Sequence, residues 1–299
     1  MEYLFELGTF PQLSLSEIVN ILQSSSIPFT VINSTSRILD ISMEEINPSV
    51  FIKLLGGTRS ITDVTAKRTY RQKIKDYQKR EFNKPYADLK SGLLPSKLAK
   101  MLINLSYTES GVYHIYDPFC GGGTIITEAS VMGIKGTGSD IETRTIAQAK
   151  ANATWIADTY KLPKDMTDFF VSGIADVPVE KLPDIDAIIT EPYMGNAASQ
   201  PLAMIKADTK DLMRVNTAIV TAFTKASQIL AKGKRLVIII PRYRTKKGMY
   251  LLPAREQYSR YGFKKVDILD QFNIDKNRDL LYFRLKAVVQ REIFILEKI

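Results

Sequence analysis

Asp117-Pro118-Phe119-Cys120-Gly121-Gly122-Gly123-Thr124 is the stretch that decides the fold. A strand-like run, Val112 to Tyr116, feeds it, and a helix-like run, Thr124 to Met132, follows. A strand ending in an acid, then a glycine turn, then a helix is how α/β folds build a nucleotide pocket, with the ligand at the carboxyl end of the strand. The acid narrows the ligand. Asp117 would repel a pyrophosphate in that loop, and no G-x-G-x-x-G is present. S-adenosylmethionine carries no phosphate and does carry an ammonium group, which a carboxylate can hold. An ordinary strand-to-helix turn needs one glycine, so three in succession favour a methyl-donor site.

Downstream of this stretch the alternation of strand and helix patterns is regular. Strands are expected at Lys135–Ser139, Phe169–Ser172, Asp186–Thr190, Arg235–Ile240 and Lys265–Gln271, with Leu280–Ala287 and Glu292–Glu297 as a late pair. Helices are expected at 124–132, 142–158, 208–231 and 253–261. Late strands after such a run fit a parallel sheet closed by an antiparallel hairpin. Upstream, a helix is expected over Ser96–Ser106, with Leu98, Met101, Leu102 and Leu105 on one face. The first 65 residues read as β-α-β-β-α-β, a small ferredoxin-like unit. Its strands are Tyr3–Leu7, Phe29–Ile32, Ile38–Ile41 and Thr58–Val64. Its first helix starts from a Ser14/Glu17 capping box, and its second, Asn47–Leu55, ends at Gly56-Gly57. The fold class is therefore α/β, a Rossmann-like domain over 85–299 preceded by a small α+β domain over 1–65, with a basic linker helix over 66–84.

A chain of 299 residues with 45% hydrophobic and 24% charged residues suits a globule of this size. No segment approaches the roughly 18 apolar residues of a membrane helix, so no membrane partner is expected. The start shows no signal peptide. One cysteine, Cys120, and one histidine, His114, leave no metal site in prospect, and a reducing cytoplasm is the expected location. The net charge of +9 is unevenly spread: residues 66–100 hold eleven basic and three acidic groups. Local cation clusters attract polyanions. Lys67, Arg68, Arg71, Lys73, Lys75, Lys79 and Arg80, joined by Arg242, Arg244, Lys246 and Lys247 beyond the fifth strand, are the expected RNA contacts, unless the run is only a solvated helix.

Two more acids fall at strand ends. Asp140 closes the second strand, seventeen residues after Gly123, where a carboxylate can accept both ribose hydroxyls of a nucleoside; it also suits a helix N-cap. Asp176, in Ser172-Gly173-Ile174-Ala175-Asp176, is placed to meet an adenine amino group, with Ile174 against the ring. The fourth strand ends Thr190-Glu191-Pro192-Tyr193-Met194-Gly195, an altered form of the [D/N/S]-P-P-[Y/F] motif of amino-group methyltransferases. Glu191 can accept a hydrogen bond from an exocyclic amine, Pro192 stiffens the turn, and Tyr193 can stack on a base that is flipped out if paired. The second proline of the motif is missing, and Met194 stands one place beyond the tyrosine.

These residues, with Lys84-Pro85-Tyr86 and Gly92-Leu93-Leu94-Pro95-Ser96-Lys97-Leu98-Ala99-Lys100, resemble the THUMP-associated tRNA guanosine N2-methyltransferases that modify position ten. Leu54-Leu55-Gly56-Gly57-Thr58-Arg59-Ser60-Ile61 resembles the end of that family's N-terminal domain, and Tyr3-Leu4-Phe5-Glu6-Leu7-Gly8 its beginning. The resemblance implies S-adenosylmethionine as cofactor, held by Pro95, Asp117, Phe119, Gly121, Gly123, Thr124, Asp140, Ile141, Ala175 and Asp176. It implies catalysis at Glu191, Pro192 and Tyr193, and RNA, tRNA in particular, as partner, with a small activating protein subunit as a further partner to test for. The family's THUMP domain has no counterpart after Ile61, where the basic run follows at once. Alternatives are a methyltransferase of DNA amines or protein amides, and a non-catalytic RNA-binding or partner-activating protein that keeps the pocket.

Overall fold

The computed structural model describes residues 1–87, 94–195, 210–246, 248–272, 279–285 and 287–299. Its first sheet is antiparallel. Strand β1 (Glu2–Leu7) alternates outward and inward residues and sinks Tyr3, Phe5 and Leu7 into the core. It is followed by α1 (Pro11–Ser24), β2 (Phe29–Ser34), β3 (Ile38–Met43), α2 (Pro48–Leu54), β4 (Thr58–Asp63) and β5 (Arg68–Arg71). The strand order is β2-β3-β1-β4-β5. The segment 66–84 is therefore not one helix. Asp63 Oδ1 accepts from Ala66 N at 2.8 Å, Lys67 takes φ +50°, and the chain returns along β4 as β5. Thr62 and Thr69 share a cross-strand hydrogen bond of 2.9 Å. Only then does α3 (Ile74–Phe82) form, with no further domain between β4 and α3.

The capping box at Ser14 and Glu17 is also corrected. The cap of helix α1 lies four residues earlier, at Phe10, with Pro11 at its first turn, where a missing N–H costs nothing. Ser14 and Glu17 then lie inside the helix on its buried side. Ser14 Oγ donates to Gly57 O at 2.9 Å. The Glu17 carboxylate accepts from Gly56 N (2.6 Å), Gly57 N (2.8 Å) and Asn104 Nδ2 (2.6 Å). Burial pushes this carboxyl above its ordinary range, and the three donors act against that. The two glycines do more than end α2. A Cβ on Gly56 would stand 2.5 Å from Lys97 O, and one on Gly57 2.4 Å from Met101 Cε. They let α4 (Ser96–Ser106) approach the backbone closely.

The second sheet holds β6 (His114–Asp117), β7 (Lys135–Asp140), β8 (Thr167–Val171), β9 (Ala187–Thr190), β10 (Arg235–Thr245), β11 (Gly248–Leu251), β12 (Phe263–Lys265), β13 (Leu280–Tyr282) and β14 (Val289–Lys298). Its order is β12-β14-β10-β9-β6-β7-β8, with β11 on β10 and β13 on β14. Strands β6 to β10 run parallel, and β14 is antiparallel between β10 and β12. Helices α5 (Thr124–Val131) and α6 (Thr143–Tyr160) join α4 on one face; α7 (Lys210–Ile229) covers the other. Alternate residues of β10 divide between the faces, Val237 and Ile239 to one, Leu236, Ile238 and Ile240 to the other. This is why the strand reads as an unbroken apolar run. The helix expected over 253–261 is two short 3-10 turns, Pro253–Glu256 and Tyr258–Tyr261. The strand expected over Lys265–Gln271 is only Phe263–Lys265.

Helix α4 is buried along nearly its whole length, between α1 on one side and β9 and β10 on the other. One core thus runs from Tyr3, Phe5 and Leu22 through Leu98 and Leu102 to Ile115, Ile189 and Val237. Replacing Glu17 by Leu would leave the Gly56 and Gly57 N–H groups without an acceptor and the Asn104 amide with Leu54 O alone. The expected cost is on the order of 3 kcal/mol, seen as a lower urea midpoint; a midpoint at the wild-type value would show that this junction is not what seats α4.

Candidate active site

Asp117 ends β6 at 2% exposure. Its Oδ1 accepts from Phe119 N at 3.1 Å and from Thr190 Oγ1 at 2.7 Å. Thr190 is the last residue of β9, so this bond joins the glycine loop to the start of Glu191-Pro192-Tyr193. Burial raises the Asp117 carboxyl to about 7, against its two hydrogen bonds. The loop bends through Gly121 at φ +50° and Gly123 at φ +80°, a region side chains rarely enter. A Cβ on Gly123 would also sit 3.2 Å from Ala149 and Phe169, whereas one on Gly121 would meet nothing within 4 Å. The Gly121 backbone therefore faces open space beside a buried carboxyl.

Asp140, at the end of β7, closes the other side. Its Oδ2 accepts from Gly121 N at 3.1 Å and its Oδ1 from Glu142 N at 3.0 Å; the expected helix cap is corrected, because Glu142 holds the N-cap position of α6, with no side-chain cap bond. Ile141 beside it is 71% exposed. Asp176 and Ala175 lie exposed in the 3-10 turn Ile174–Asp176. Ile174 itself is buried in the second core beside Tyr116 and Val177, which corrects the expectation that it touches a ligand ring. Phe119 is half-buried against that core, and Thr124 opens α5. Pro95 precedes the first turn of α4, its carbonyl accepting from Ala99 N at 3.0 Å.

Two neighbours of the loop were not read from the sequence. Asn152 of α6 donates to Gly122 O at 3.0 Å, and its amide also bonds both backbone groups of Tyr86. Lys84, at 6% exposure, donates to Thr124 Oγ1 at 3.0 Å, and burial lowers its pKa. The segment Lys84–Tyr86 is thereby laid over the glycine loop. Only the quoted Lys-Pro-Tyr pointed to it, without a role.

At the end of β9, the Glu191 carboxylate takes two hydrogen bonds from Arg291 of β14, Nε to Oε1 at 2.6 Å and Nη2 to Oε2 at 3.2 Å. A partner 100 residues away leaves no local trace in sequence. Pro192 is buried. Tyr193 keeps 42% exposure, and its hydroxyl donates to Asp211 of α7 at 2.9 Å. Met194 packs half-buried on the first core, its carbonyl accepting from Tyr243 at 3.0 Å. The exposed ring at this turn is therefore the tyrosine.

The basic residues sort into two kinds. Lys67, Arg68, Arg71, Lys73, Lys75 and Lys79 are exposed along β5 and α3. Arg80 is not part of that surface. It is 2% exposed, donates to Glu128 at 2.6 Å and to Asp76, and lies over the rings of Tyr77 and Tyr160. Arg242 is likewise engaged, with Asp279 at 2.8 Å and 16% side-chain exposure. Arg244 is half-buried and Lys246 exposed; Lys247 lies outside the described residues. Among the described residues no group of three or more His, Cys, Asp or Glu could hold a metal, and no helix is long and apolar enough to cross a membrane.

A mostly parallel sheet covered on both faces, with a glycine loop and acidic strand ends at its carboxyl edge, defines a Rossmann-like methyltransferase domain. Residues 79–248 match the UPF0020 family, described as "RMKL-like, methyltransferase domain", and the chain belongs to that family. Three relatives bear the name tRNA (guanine(10)-N2)-dimethyltransferase. That of Methanothermobacter thermautotrophicus is 36% identical over 36% of this chain and 30% of its own length. That of Methanocaldococcus jannaschii is 25% identical over 61% of this chain and 51% of its own length. That of Pyrococcus abyssi is 29% identical over 52% and 44%. The chain thus spans about half, or less, of the length of these relatives.

The state of Asp117 gives a stability test. Between about 3.8 and about 7 the folded protein keeps a proton that the unfolded chain has released, so this group lowers stability as pH rises through that window. Asp117→Asn should remove that decline and leave the variant more stable than wild type above pH about 7. Denaturant midpoints across the window check this, and parallel wild-type and variant curves would refute it.

Proposed function

We propose that the protein is an S-adenosylmethionine-dependent methyltransferase acting on an exocyclic amine of an RNA base, with guanine N2 in tRNA as the favoured target, in a reducing cytoplasm. One observation carries the reading: a buried carboxyl and a second acid flank a glycine backbone that faces open space. That arrangement fits a cationic nucleoside. Bound there, S-adenosylmethionine supplies a methyl group on a positively charged sulfur. Asp117 holds the ammonium, which favours its carboxylate form. Asp140 keeps lone pairs for the ribose hydroxyls beyond its two backbone bonds. Ile141 covers one face of the adenine, and Asp176, beside Ala175, takes the amino group. At the other half, Glu191 would accept a hydrogen bond from the target amine as its nitrogen takes the methyl group and the sulfur leaves as a neutral thioether, while Pro192 stiffens the turn and Tyr193 stacks on the base. The names of the relatives support guanine N2 in tRNA over the other amines.

Asp140→Asn keeps the shape and one acceptor while removing the charge. Hydrogen bonds to a charged group are worth about 1.5–3 kcal/mol, so calorimetry with S-adenosylmethionine should show at least about tenfold weaker binding. Unchanged affinity in a folded variant would remove Asp140 from the site. Methyl incorporation by the purified chain into unmodified tRNA, DNA and protein tests the substrate class. Transfer without any added protein would also set aside a small activating subunit.

RNA affinity is expected from the exposed side chains of β5 and α3. Replacing Lys67, Arg68, Lys75 and Lys79 by Ala should flatten the slope of log affinity against log salt by roughly three units. The same slope in the quadruple variant would make the run a solvated face.

A further inference from the structure

The ion pair between Glu191 and Arg291 has more content than a bridge between β9 and β14. Both partners are largely enclosed, with 15% and 19% of their side-chain surface exposed. Nε and Nη2 of one guanidinium reach different oxygens of one carboxylate, the fork-on-fork form that fixes a carboxylate plane as well as its charge. Arg291 lies on β14 opposite Pro241 of β10 and Tyr282 of β13, so its backbone is held from two sides. The next residue, Glu292, is itself bound bidentate by Arg255. The position of Arg291 is thus set by the sheet and not by Glu191.

A carboxylate only accepts hydrogen bonds; a carboxylic acid or an amide both donates and accepts. Beside its exocyclic amine, guanine carries a ring N–H, so this part of its edge offers two adjacent donors, with the O6 acceptor lying beyond them. Adenine and cytosine carry a bare ring nitrogen beside theirs, so their edges offer one donor and one acceptor. A fixed carboxylate therefore complements guanine and leaves adenine or cytosine with two acceptors opposed. On the amine-methyltransferase reading above, we infer that Arg291 is a positioning residue that sets base choice. It fixes the plane of the Glu191 carboxylate, whose oxygens each retain a lone pair for the base edge. This also gives the glutamate a reason to stand where the motif has a shorter or neutral side chain: its extra methylene lets it reach a guanidinium on β14 while remaining at the strand end.

The test uses the full chain, S-adenosylmethionine and a pool of unmodified tRNA transcripts, with methylated nucleosides resolved by mass spectrometry after digestion. Wild type should give methylguanosine. Arg291→Met should lower the ratio of methylguanosine to methyladenosine plus methylcytidine at least about tenfold, with KM raised more than kcat is lowered. Arg291→Lys, which keeps the charge without the fork, should fall between. Glu191→Gln, whose amide matches the adenine and cytosine edges, should shift the ratio the same way and decides the matter if Arg291→Met does not fold. Folded variants that lose turnover but keep the wild-type ratio would overturn the inference and leave Arg291 a structural residue. A wild-type chain that methylates no nucleoside would overturn the amine-methyltransferase reading itself, and this inference would fall with it.

Discussion

A hydroxyl and a carboxyl hold the two halves of the candidate site together. Thr190 gives its hydrogen to Asp117 across the boundary between β9 and β6, and both groups are shut away from water. A buried carboxyl with only two hydrogen bonds is a costly group, and its raised pKa records that cost. The sheet tolerates it because the loop beyond Asp117 must turn sharply and its first free amide, Phe119 N, needs an acceptor. Asp140 does the same for Gly121. Two acids therefore shape the loop before any ligand arrives, and the groups proposed to recognise the ligand are those that build its seat.

Much of the second sheet was legible from the chain alone, because strands buried on both faces leave continuous apolar runs such as Leu236–Ile240, and glycine turns mark their ends. The start and end of α4 follow directly from the apolar spacing after Pro95. Where the sequence reading failed, a distant partner had overridden a local pattern. Ser14 and Glu17 have capping-box spacing, yet Glu17 serves Gly56, Gly57 and Asn104. The run 66–84 has a helix-friendly composition, yet β4 offers its first part a strand to pair with. Asp117, Gly121, Gly123 and Asp140 were readable because loop and strand end are local features. Arg291, Asn152 and Lys84 were not, since their roles exist only after the chain has folded.

Charge shows the same division. Seven basic residues within fourteen positions look alike in a sequence. In the fold six face water, while Arg80 stands between Glu128 of α5 and Asp76 of its own helix, above two tyrosine rings. A cation so deeply placed serves structure, and a count of arginines overstates what a polyanion can touch. Glu128 in turn sits on the helix that begins at the glycine loop, so the basic surface and the loop are fastened to one rod.

Helix α4 has no free side, because the first sheet's helix lies on one flank and the second sheet on the other. A helix shared in this way belongs to neither unit. Cutting the chain near residue 85 would not liberate a trimmed catalytic body. It would strip the cover from the flank of α4 that carries Met101 and Asn104, where Gly56, Gly57, Glu17 and Asn20 now lie, and a newly exposed apolar surface invites aggregation. Gene fusions, truncations and domain swaps that treat the first sheet as a detachable handle would meet the same barrier. The amino-terminal sheet and the second sheet are packed as one piece around α4.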